Sequence, residues 1–217
     1  GRIKITFPAF DTVAMLTSTP DIIGASGQAP WDNFVDFKKA ALAKPGTILV
    51  GATFGSTSQF MWLILEDLTG MKFKFVPYDG TADRMTALLS GAVMLGGLNV
   101  ASGKKHLQSG ALKGFAIAAN KRSKTFPDMP TLKELGVDMI YTLDRGIVAP
   151  KGTPRAIVNY WADVFKTAAA SPEFTKAMDA KDTGVGYLGP DDYRKWADKM
   201  YKDHETIAIK IGMWKKK

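Results

Sequence analysis

The sequence predicts an α/β fold in which most strands pair in parallel. Short apolar runs of strand length alternate along the chain with longer segments whose apolar residues recur at helical spacing. Glycine or proline stands at most of the boundaries between these segments. Strands that alternate with helices are typical of parallel sheets, because a parallel pair needs a long crossover connection.

The first part of the chain shows both periodicities clearly. Between Lys72 and Tyr78, phenylalanine alternates with lysine, as in a strand with one solvated face. Apolar residues of 31–43 recur at helical spacing, and Pro45-Gly46 ends that helix. The predicted elements are an extended run within Thr12–Ala25, a helix over Trp31–Ala43, a strand over Thr47–Ala52, a helix through Phe60 and Leu68 closed by Gly70, a strand over Lys72–Tyr78 and a helix over Thr81–Ser90.

The second part continues the alternation and then becomes richer in helix. Thr153 is expected to cap a helix that has Pro154 at its first position, and Ser171-Pro172 repeats this pattern. The predicted elements are strands over Val93–Val100 and Leu112–Ala119 with a helix over Ser102–Gln108 between them, a short helix ending at Leu135, an extended segment over Met139–Val148, a helix over Arg155–Ala170, a shorter one after Pro172 and a last one from Gly189.

Composition excludes several classes of function. The chain has 217 residues and no cysteine, so neither thiol chemistry nor disulfides are available to it. Its two histidines, His106 and His204, are too distant in sequence for a simple zinc motif, and we expect no metal and no cofactor. No apolar run reaches the roughly 20 residues of a membrane span. No signal peptide is visible either, so we expect that any export signal has been removed.

The formal net charge of +8 favours an anionic partner. Nucleic acid is one alternative, but the basic residues are dispersed, and the densest clusters, Lys121–Lys124 and Lys215–Lys217, contain no aromatic residues on which bases could stack. We therefore expect solvated surface charge rather than a nucleic-acid interface.

The most informative motif is a glycine-rich turn between a predicted strand and a predicted helix. It reads Gly51-x-x-x-Gly55 and continues with three hydroxyl residues, Ser56, Thr57 and Ser58. A helix N-terminus offers unpaired N–H groups and the positive end of the helix dipole, so such a turn can hold an anion. No lysine follows Gly55, which excludes a Walker A loop. The alternative is an ordinary turn and helix cap.

Further candidates follow other predicted strands. Tyr78, Gly80, Thr81 and Ala82 form a second strand-to-helix junction, and Asn99 follows a third strand. In an open α/β sheet such junctions meet in one crevice at the carboxyl ends of the strands. Each residue also has a purely structural interpretation, as a core edge, a helix cap or a turn. Arg145 could grip a carboxylate, or it could pair with Asp144.

No catalytic constellation is present in the sequence. Neither a G-x-S-x-G nor an H-E-x-x-H motif occurs, and the adjacent acidic pairs Glu66-Asp67 and Asp191-Asp192 lie on predicted helices where their side chains diverge. We therefore expect a binding protein and not an enzyme. The alternative is an α/β enzyme that acts on a carboxylated or phosphorylated small molecule in the same crevice.

Motifs along nearly the whole chain resemble those of the solute receptors of tripartite tricarboxylate transporters, the TctC-like or Bug proteins. In order, they are Phe10-x-x-Val13-Ala14-Met15-Leu16, Leu42-Ala-Lys-Pro-Gly46, Gly51-x3-Gly55-Ser56, Val76-Pro77-Tyr78-Asp79-Gly80, Leu88-Leu89-Ser90-Gly91, Arg122-x4-Pro127-Asp128-Met129-Pro130-Thr131-x2-Glu134-x-Gly136, Ala149-Pro150-Lys151-Gly152-Thr153-Pro154 and Gly189-Pro190-Asp191-Asp192-Tyr193.

The resemblance implies a two-lobed, type II-like periplasmic binding protein with a cleft between lobes of helix-flanked sheet. Residues 20–143 would form the central lobe, and residues 1–19 with 144–217 the second. Such a protein closes on a small organic acid (a di- or tricarboxylate, an amino acid or an aromatic acid) and delivers it to membrane permease subunits. The resemblance also implies a periplasmic location, and we expect a monomer. The ten candidate ligand-binding residues are Gly55, Ser56, Thr57, Ser58, Tyr78, Gly80, Thr81, Ala82, Asn99 and Arg145.

Two features depart from the family pattern. Family members have a longer segment before the Phe10 motif, which implies that the second lobe is incomplete in this chain. Where the family commonly has an Asp after Gly-x-Val, this chain has Met94, and the strand that follows is rich in glycine.

Overall fold

The computed structural model describes residues 6–214 and shows strands and helices that alternate along the chain. The strands are β1 (Phe10–Ser26), β2 (Leu49–Ala52), β3 (Lys74–Pro77), β4 (Leu95–Asn99), β5 (Leu112–Ile117), β6 (Thr142–Pro150) and β7 (Gly184–Leu188). The helices are α1 (Phe34–Ala43), α2 (Thr57–Thr69), α3 (Thr81–Leu89), α4 (Val100–Gln108), α5 (Arg155–Ala169), α6 (Pro172–Asp179) and α7 (Pro190–Lys210).

The chain divides into two compact units. Thr19–Leu143 forms one, here called the continuous unit, and Gly1–Ser18 with Asp144–Lys217 forms the other, the discontinuous unit. The polypeptide passes between the units inside β1 and inside β6. Each unit therefore contains its own part of these two strands. The predicted basic cluster at Lys215–Lys217 lies outside the described residues.

The sheet of the continuous unit has the strand order β3-β2-β4-β1-β5. Strand β2 pairs in parallel with β3 and with β4, as the alternation of strands and helices predicts. Strand β1 is antiparallel to β4, to β5 and to β7, so the prediction that most strands pair in parallel is wrong. It comes before the first helix, and no crossover connection constrains its direction.

Helices cover both faces of this sheet. Neighbouring residues of a strand point to opposite faces, and Gly96 of β4 faces Leu88 of α3, whereas Gly97 faces Ser58 of α2. On the α2 side, Trp62, Phe37, Phe73 and Phe115 form an aromatic cluster. Ring centroids in this cluster are 5.3–6.4 Å apart, the range in which aromatic pairs attract each other.

In the discontinuous unit, the first part of β1 pairs with β6 and with β7. The pairing with β7 is antiparallel and begins at Met15 opposite Leu188. Helices α5, α6 and α7 pack with β7. A small core forms around Val13, Val158 and Ala162. Strand β7 is not predicted from the sequence, because two of its five residues are glycines, which are uncommon in strands.

The short helix predicted to end at Leu135 does not form. Thr131 and Glu134 make reciprocal contacts of the kind that start helices: the Thr131 N–H donates to Glu134 Oε2 at 2.7 Å, and the Glu134 N–H donates to Thr131 Oγ1 at 3.1 Å. The segment nevertheless stays in turns, and Gly136 follows with a φ of 78°. The start of a helix is thus present without its continuation.

The predicted cap at Thr153 is also wrong. Pro154 is the residue that precedes the first helical position of α5, and no side chain caps that helix. The Thr153 hydroxyl instead donates to the carbonyl of Pro150 at 2.7 Å, within its own turn. By contrast, Ser171 caps α6 as predicted and accepts a hydrogen bond from the Phe174 N–H.

Among the described residues, none of the helices has the length and hydrophobicity that crossing a membrane requires.

Candidate binding site

Three parallel strands of the continuous unit end at the same edge of the sheet. Ala52 at the end of β2 is opposite Pro77 at the end of β3, and Gly51 is opposite Gly96 of β4. The loops that follow these strands lead into α2, α3 and α4. This edge therefore collects three helix N-termini, which is where α/β proteins bind anionic ligands.

The turn before α2 has the conformation that its glycine allows. Gly55 has a φ of 76°, in the left-handed region that residues with a side chain rarely adopt. Its N–H donates to Gln59 Oε1 at 2.8 Å, which ties the turn to the helix. Ser56 is the N-cap residue, and Thr57, the first residue of α2, is exposed.

Hydrogen bonds within this turn occupy the hydroxyls of Ser56 and Ser58. Ser58 Oγ accepts from the Thr53 N–H at 3.1 Å and from Arg84 Nη1 at 3.1 Å. A serine hydroxyl has two acceptor positions and one proton. With both acceptor positions used, the Ser58 proton is left for Ser56 Oγ, 2.9 Å away. The Ser56 hydroxyl in turn donates to the Thr53 carbonyl at 2.7 Å.

The residue that connects the two loops is Arg84 of α3, which is not among the site residues predicted from the sequence. Only 7% of Arg84 is exposed. Besides Ser58, its guanidinium donates to Thr53 Oγ1 at 3.1 Å and to Thr81 Oγ1 at the outer limit of 3.5 Å. The sequence holds one weak signal for this role: Arg84 lies in the first turn of the predicted helix over Thr81–Ser90. A cation is unfavourable there because it opposes the helix dipole, so its presence suggests a specific use.

Glycines on two strands make room for Arg84 and Ser58. A Cβ at Gly51 would lie 3.2 Å from Arg84 Cγ, and one at Gly97 would lie 3.2 Å from Ser58 Cβ and 3.4 Å from its Cα. The distances of 3.2 Å are shorter than ordinary van der Waals contacts, so a side chain at either position would require Arg84 or Ser58 to shift slightly. The glycine-rich β4, a departure from the family pattern, thus has a packing function in this chain.

The buried guanidinium carries its charge among neutral hydroxyls. Burial lowers the pKa of Arg84, and the negative charge of Asp21, a buried residue of β1, acts in the opposite direction. An arginine stays protonated in proteins despite such a shift. The edge of the sheet therefore holds a permanent positive charge beneath the loops.

The second predicted loop lies at the same edge. The Tyr78 N–H donates to the carbonyl of Ala52 at 2.9 Å, and the Tyr78 ring packs close to Gly51. Gly80 precedes the first helical residue of α3, and Thr81 and Ala82 are exposed in its first turn. The contact between Arg84 and Thr81 links this loop to the Thr53–Ser58 turn.

Asn99 and Arg145 have different surroundings. Asn99 ends β4 and caps α4: its side-chain oxygen accepts from the Ser102 N–H at 2.9 Å, and the Ser102 hydroxyl accepts from the Asn99 N–H at 3.2 Å. The structural alternative predicted for Asn99 is a turn residue, and the structure makes it a helix cap instead. Arg145 is exposed on β6, in the discontinuous unit, whereas the other nine predicted site residues belong to the continuous unit.

A separate cavity of about 560 Å³ occupies another part of the continuous unit. Its walls include Phe34, Phe115, Phe126 and Met129. None of the ten predicted site residues lines it, so it offers no support for the predicted site. Among the described residues, no cluster of histidine and carboxylate side chains could hold a metal ion.

Comparison with models of known protein families identifies the family of this chain. A family model described as the tripartite tricarboxylate transporter family receptor, TctC, matches residues 3–213. The chain belongs to this family. Of the curated relatives of this TctC chain, the UPF0065 protein in the gbd 5′ region of Cupriavidus necator is 32% identical over 190 residues, which are 86% of this chain and 57% of that relative. The chain thus spans little more than half the length of that protein.

Solved structures of TctC-type proteins share the fold. A TctC solute-binding protein from Polaromonas superposes with a TM-score of 0.78 at 29% identity and covers 98% of this chain and 72% of its own. MatC from Rhodopseudomonas palustris, solved with bound malate, gives a TM-score of 0.79 at 25% identity and covers 91% of this chain and 69% of its own. The fold class predicted from the sequence, that of a periplasmic binding protein, is confirmed by these structures.

Proposed function

We propose that this chain is part of a receptor that captures a small organic acid and delivers it to a tripartite tricarboxylate-type membrane transporter. The observation that carries the proposal is the Arg84 guanidinium, a charge held between the N-termini of α2 and α3 among neutral hydroxyls. Such an arrangement favours an anionic ligand group. Family membership and the malate bound to MatC support a carboxylate as that group.

The proposal includes capture without chemical conversion. The hydroxyls of Ser56 and Ser58 form a series of hydrogen bonds that ends on the backbone carbonyl of Thr53. No histidine takes part in these hydrogen bonds. A serine nucleophile would need a base within hydrogen-bond distance. The periplasm as location, delivery to permease subunits and the monomeric state belong to the same proposal, and family membership supports the first two.

The experiment is a thermal-shift screen of the full-length protein with malate, citrate, glutamate and benzoate, followed by calorimetric titration. A ligand that binds only the folded state raises the melting temperature, and the stabilisation grows with the logarithm of the ligand concentration divided by the dissociation constant. We expect one acid to bind with a dissociation constant of about 1 μM or lower, or about −8 kcal/mol. No stabilisation by any acid at millimolar concentration would overturn the proposal.

A matched pair of variants locates the site. Thr57 is exposed at the first position of α2, and Thr86 is exposed near the end of α3. We expect Thr57→Glu to abolish binding, because a carboxylate there would occupy the helix N-terminus and repel the ligand. Thr86→Glu should bind as the wild type does. Equal affinities of the two variants would place the ligand elsewhere.

A further inference from the structure

We propose that Arg84 is a positioning residue that makes the site select an ionised carboxylate over its neutral amide, by fixing the hydroxyl of Thr53 as a hydrogen-bond donor. The inference rests on the proposed function and adds its selectivity. Thr53 lies in the middle of the Gly51–Gly55 turn, at the end of β2. Neither Thr53 nor Arg84 belongs to the residues that the sequence motifs single out.

The direction of the hydrogen bonds follows from the chemistry of the guanidinium. Arginine only donates, so a hydroxyl that contacts it must accept. Thr53 Oγ1 accepts from Arg84 Nη1 at 3.1 Å, and within the described part of the chain its own proton has no acceptor. Thr81 Oγ1 accepts from Nη2 in the same way, at the weaker distance of 3.5 Å. Both hydroxyls are thereby left with a proton to donate.

The same Nη1 also fixes the Ser58 hydroxyl, and through it that of Ser56, in directions that the turn uses internally. The two serines are thus occupied, and Thr53 and Thr81 are the hydroxyls beside Arg84 whose protons remain available. Each of these hydroxyls also keeps one acceptor position. The positive charge of Arg84 behind them nevertheless favours the acceptor-only oxygens of a carboxylate over the N–H₂ group of an amide, whose hydrogens carry partial positive charge.

The charges around Arg84 agree with this role. Its stem packs against Gly51 of β2 and Gly96 of β4, and Ser58 of α2 and Thr53 present only hydroxyls to its head. Asp21 of β1 contributes a negative charge that favours the protonated guanidinium. Asp83, the neighbour of Arg84 on α3, is exposed. Arg84 thus acts on the ligand mainly through Thr53 and Thr81, with its charge behind them.

The test measures the affinities of a neutral and an ionised probe on the full-length protein. The ionised probe is the acid from the thermal-shift screen that stabilises the protein most, which we expect to be malate. The neutral probe is the amide of that acid, the diamide in the case of malate. We expect the wild type to prefer malate by about tenfold or more, as a hydrogen bond to a charged group contributes. Arg84→Met should weaken malate binding by about tenfold or more and change diamide binding little, so that the preference is lost.

Two further variants separate positioning from a structural role. Arg84→Lys keeps the charge but not the forked donor geometry, and it should restore part of the preference. Thr53→Ser keeps the hydroxyl and should match the wild type, whereas Thr53→Val should lose the preference as Arg84→Met does. The Thr53 pair carries the test if Arg84→Met does not fold. In the double variant with Thr53→Val and Arg84→Met, the loss of malate binding free energy should be smaller than the sum of the losses in the two single variants.

The outcomes are distinct. If the wild type binds no acid of the panel, the proposed function fails, and this inference fails with it. If the wild type binds an acid but Thr53→Val and Arg84→Met weaken acid and amide equally, the proposed function stands and the inference is wrong, because a merely structural role leaves the ratio unchanged.

Discussion

At the scale of single residues, the structure separates hydroxyls that stabilise the turn from hydroxyls that remain available to a ligand. Ser56 and Ser58 are predicted ligand-binding residues, and both use their protons within the Thr53–Ser58 turn. Thr57 is exposed, and its hydroxyl has no hydrogen-bond partner among the described residues. The ligand contacts of all ten predicted residues remain predictions, and we expect Thr57 to contribute more than its serine neighbours do.

A second residue whose environment has a measurable consequence is Glu134. The hydrogen bond from Arg122, followed by that from the Thr131 N–H, lowers the pKa of Glu134 from 4.5 to about 2. A carboxylate with a lowered pKa stabilises the folded state above its unfolded pKa, and this contribution disappears as the pH falls through the folded pKa. Glu134→Gln should therefore be less stable than the wild type at neutral pH.

The difference in stability between the wild type and Glu134→Gln should shrink as the pH falls from about 4.5 towards about 2, where Glu134 becomes protonated in both the folded and the unfolded state. Urea unfolding at a series of pH values measures it. Glu205→Gln, the same substitution on α7, serves as the control. A stability difference that does not change with pH would contradict the assignment.

At the scale of elements, the connection from α2 to β3 depends on one buried carboxylate. Gly70 ends α2 with a φ of 76°, and its N–H donates to the Glu66 carbonyl at 2.9 Å. The side chain of Glu66, only 10% exposed, accepts from the Phe73 N–H at 2.6 Å. Burial raises the pKa of Glu66, while the Phe73 N–H and the more distant charge of Lys72 lower it. The hydrogen bond, rather than the charge, thus secures this connection.

Two substitutions distinguish the hydrogen bond from the charge. Glu66→Gln keeps an acceptor for the Phe73 N–H and removes a buried charge, so we expect little loss of stability at neutral pH. Glu66→Leu leaves that N–H without a partner and should cost about 1–3 kcal/mol. Because a raised pKa makes the ionised form unfavourable in the folded state, Glu66→Gln should also remove a loss of stability that the wild type shows as the pH rises above about 4.5.

Urea unfolding of both variants at neutral pH measures these effects. If Glu66→Gln and Glu66→Leu were destabilised equally, the interaction with Lys72, 3.9 Å away, would be the important one instead.

At the scale of the whole molecule, the hydrophobic core is unevenly distributed between the units. The largest fully buried side chains, which include Trp62, Tyr141, Phe34 and Phe37, all belong to the continuous unit. In the discontinuous unit, α5 exposes several large apolar side chains: Ile157, Tyr160, Trp161 and Val164. The continuous unit therefore has a core that can support folding by itself.

We accordingly expect a fragment of residues 19–143 to fold without the rest of the chain. It is one uninterrupted segment, and it contains the sheet β3-β2-β4-β1-β5 and the helices of the candidate site. Thermal unfolding followed by circular dichroism should show a single cooperative transition. A fragment of residues 144–214, which lacks the partner strand β1, is the control and should not unfold cooperatively. Loss of the transition in residues 19–143 would show that its core depends on the other unit.

The sequence determined the order of the elements because local periodicity and glycine and proline boundaries specify helices and strands directly. The helices over Thr57–Thr69 and Thr81–Leu89 and the strand over Leu49–Ala52 lie within or close to their predicted ranges. Motifs in the family's order were enough to identify the family. The antiparallel pairing of β1, by contrast, depends on contacts with β4 and β5, residues distant in sequence.

Only the tertiary structure could reveal the centre of the candidate site. Arg84 is 31 residues from Thr53 and 26 from Ser58 in the chain, and no local pattern links them. The link arises because β2 and β3 run in parallel and bring the starts of α2 and α3 to one edge, and because Gly51 and Gly97 leave room there. The sequence thus located the loops, whereas packing determined which hydroxyls keep a proton to offer.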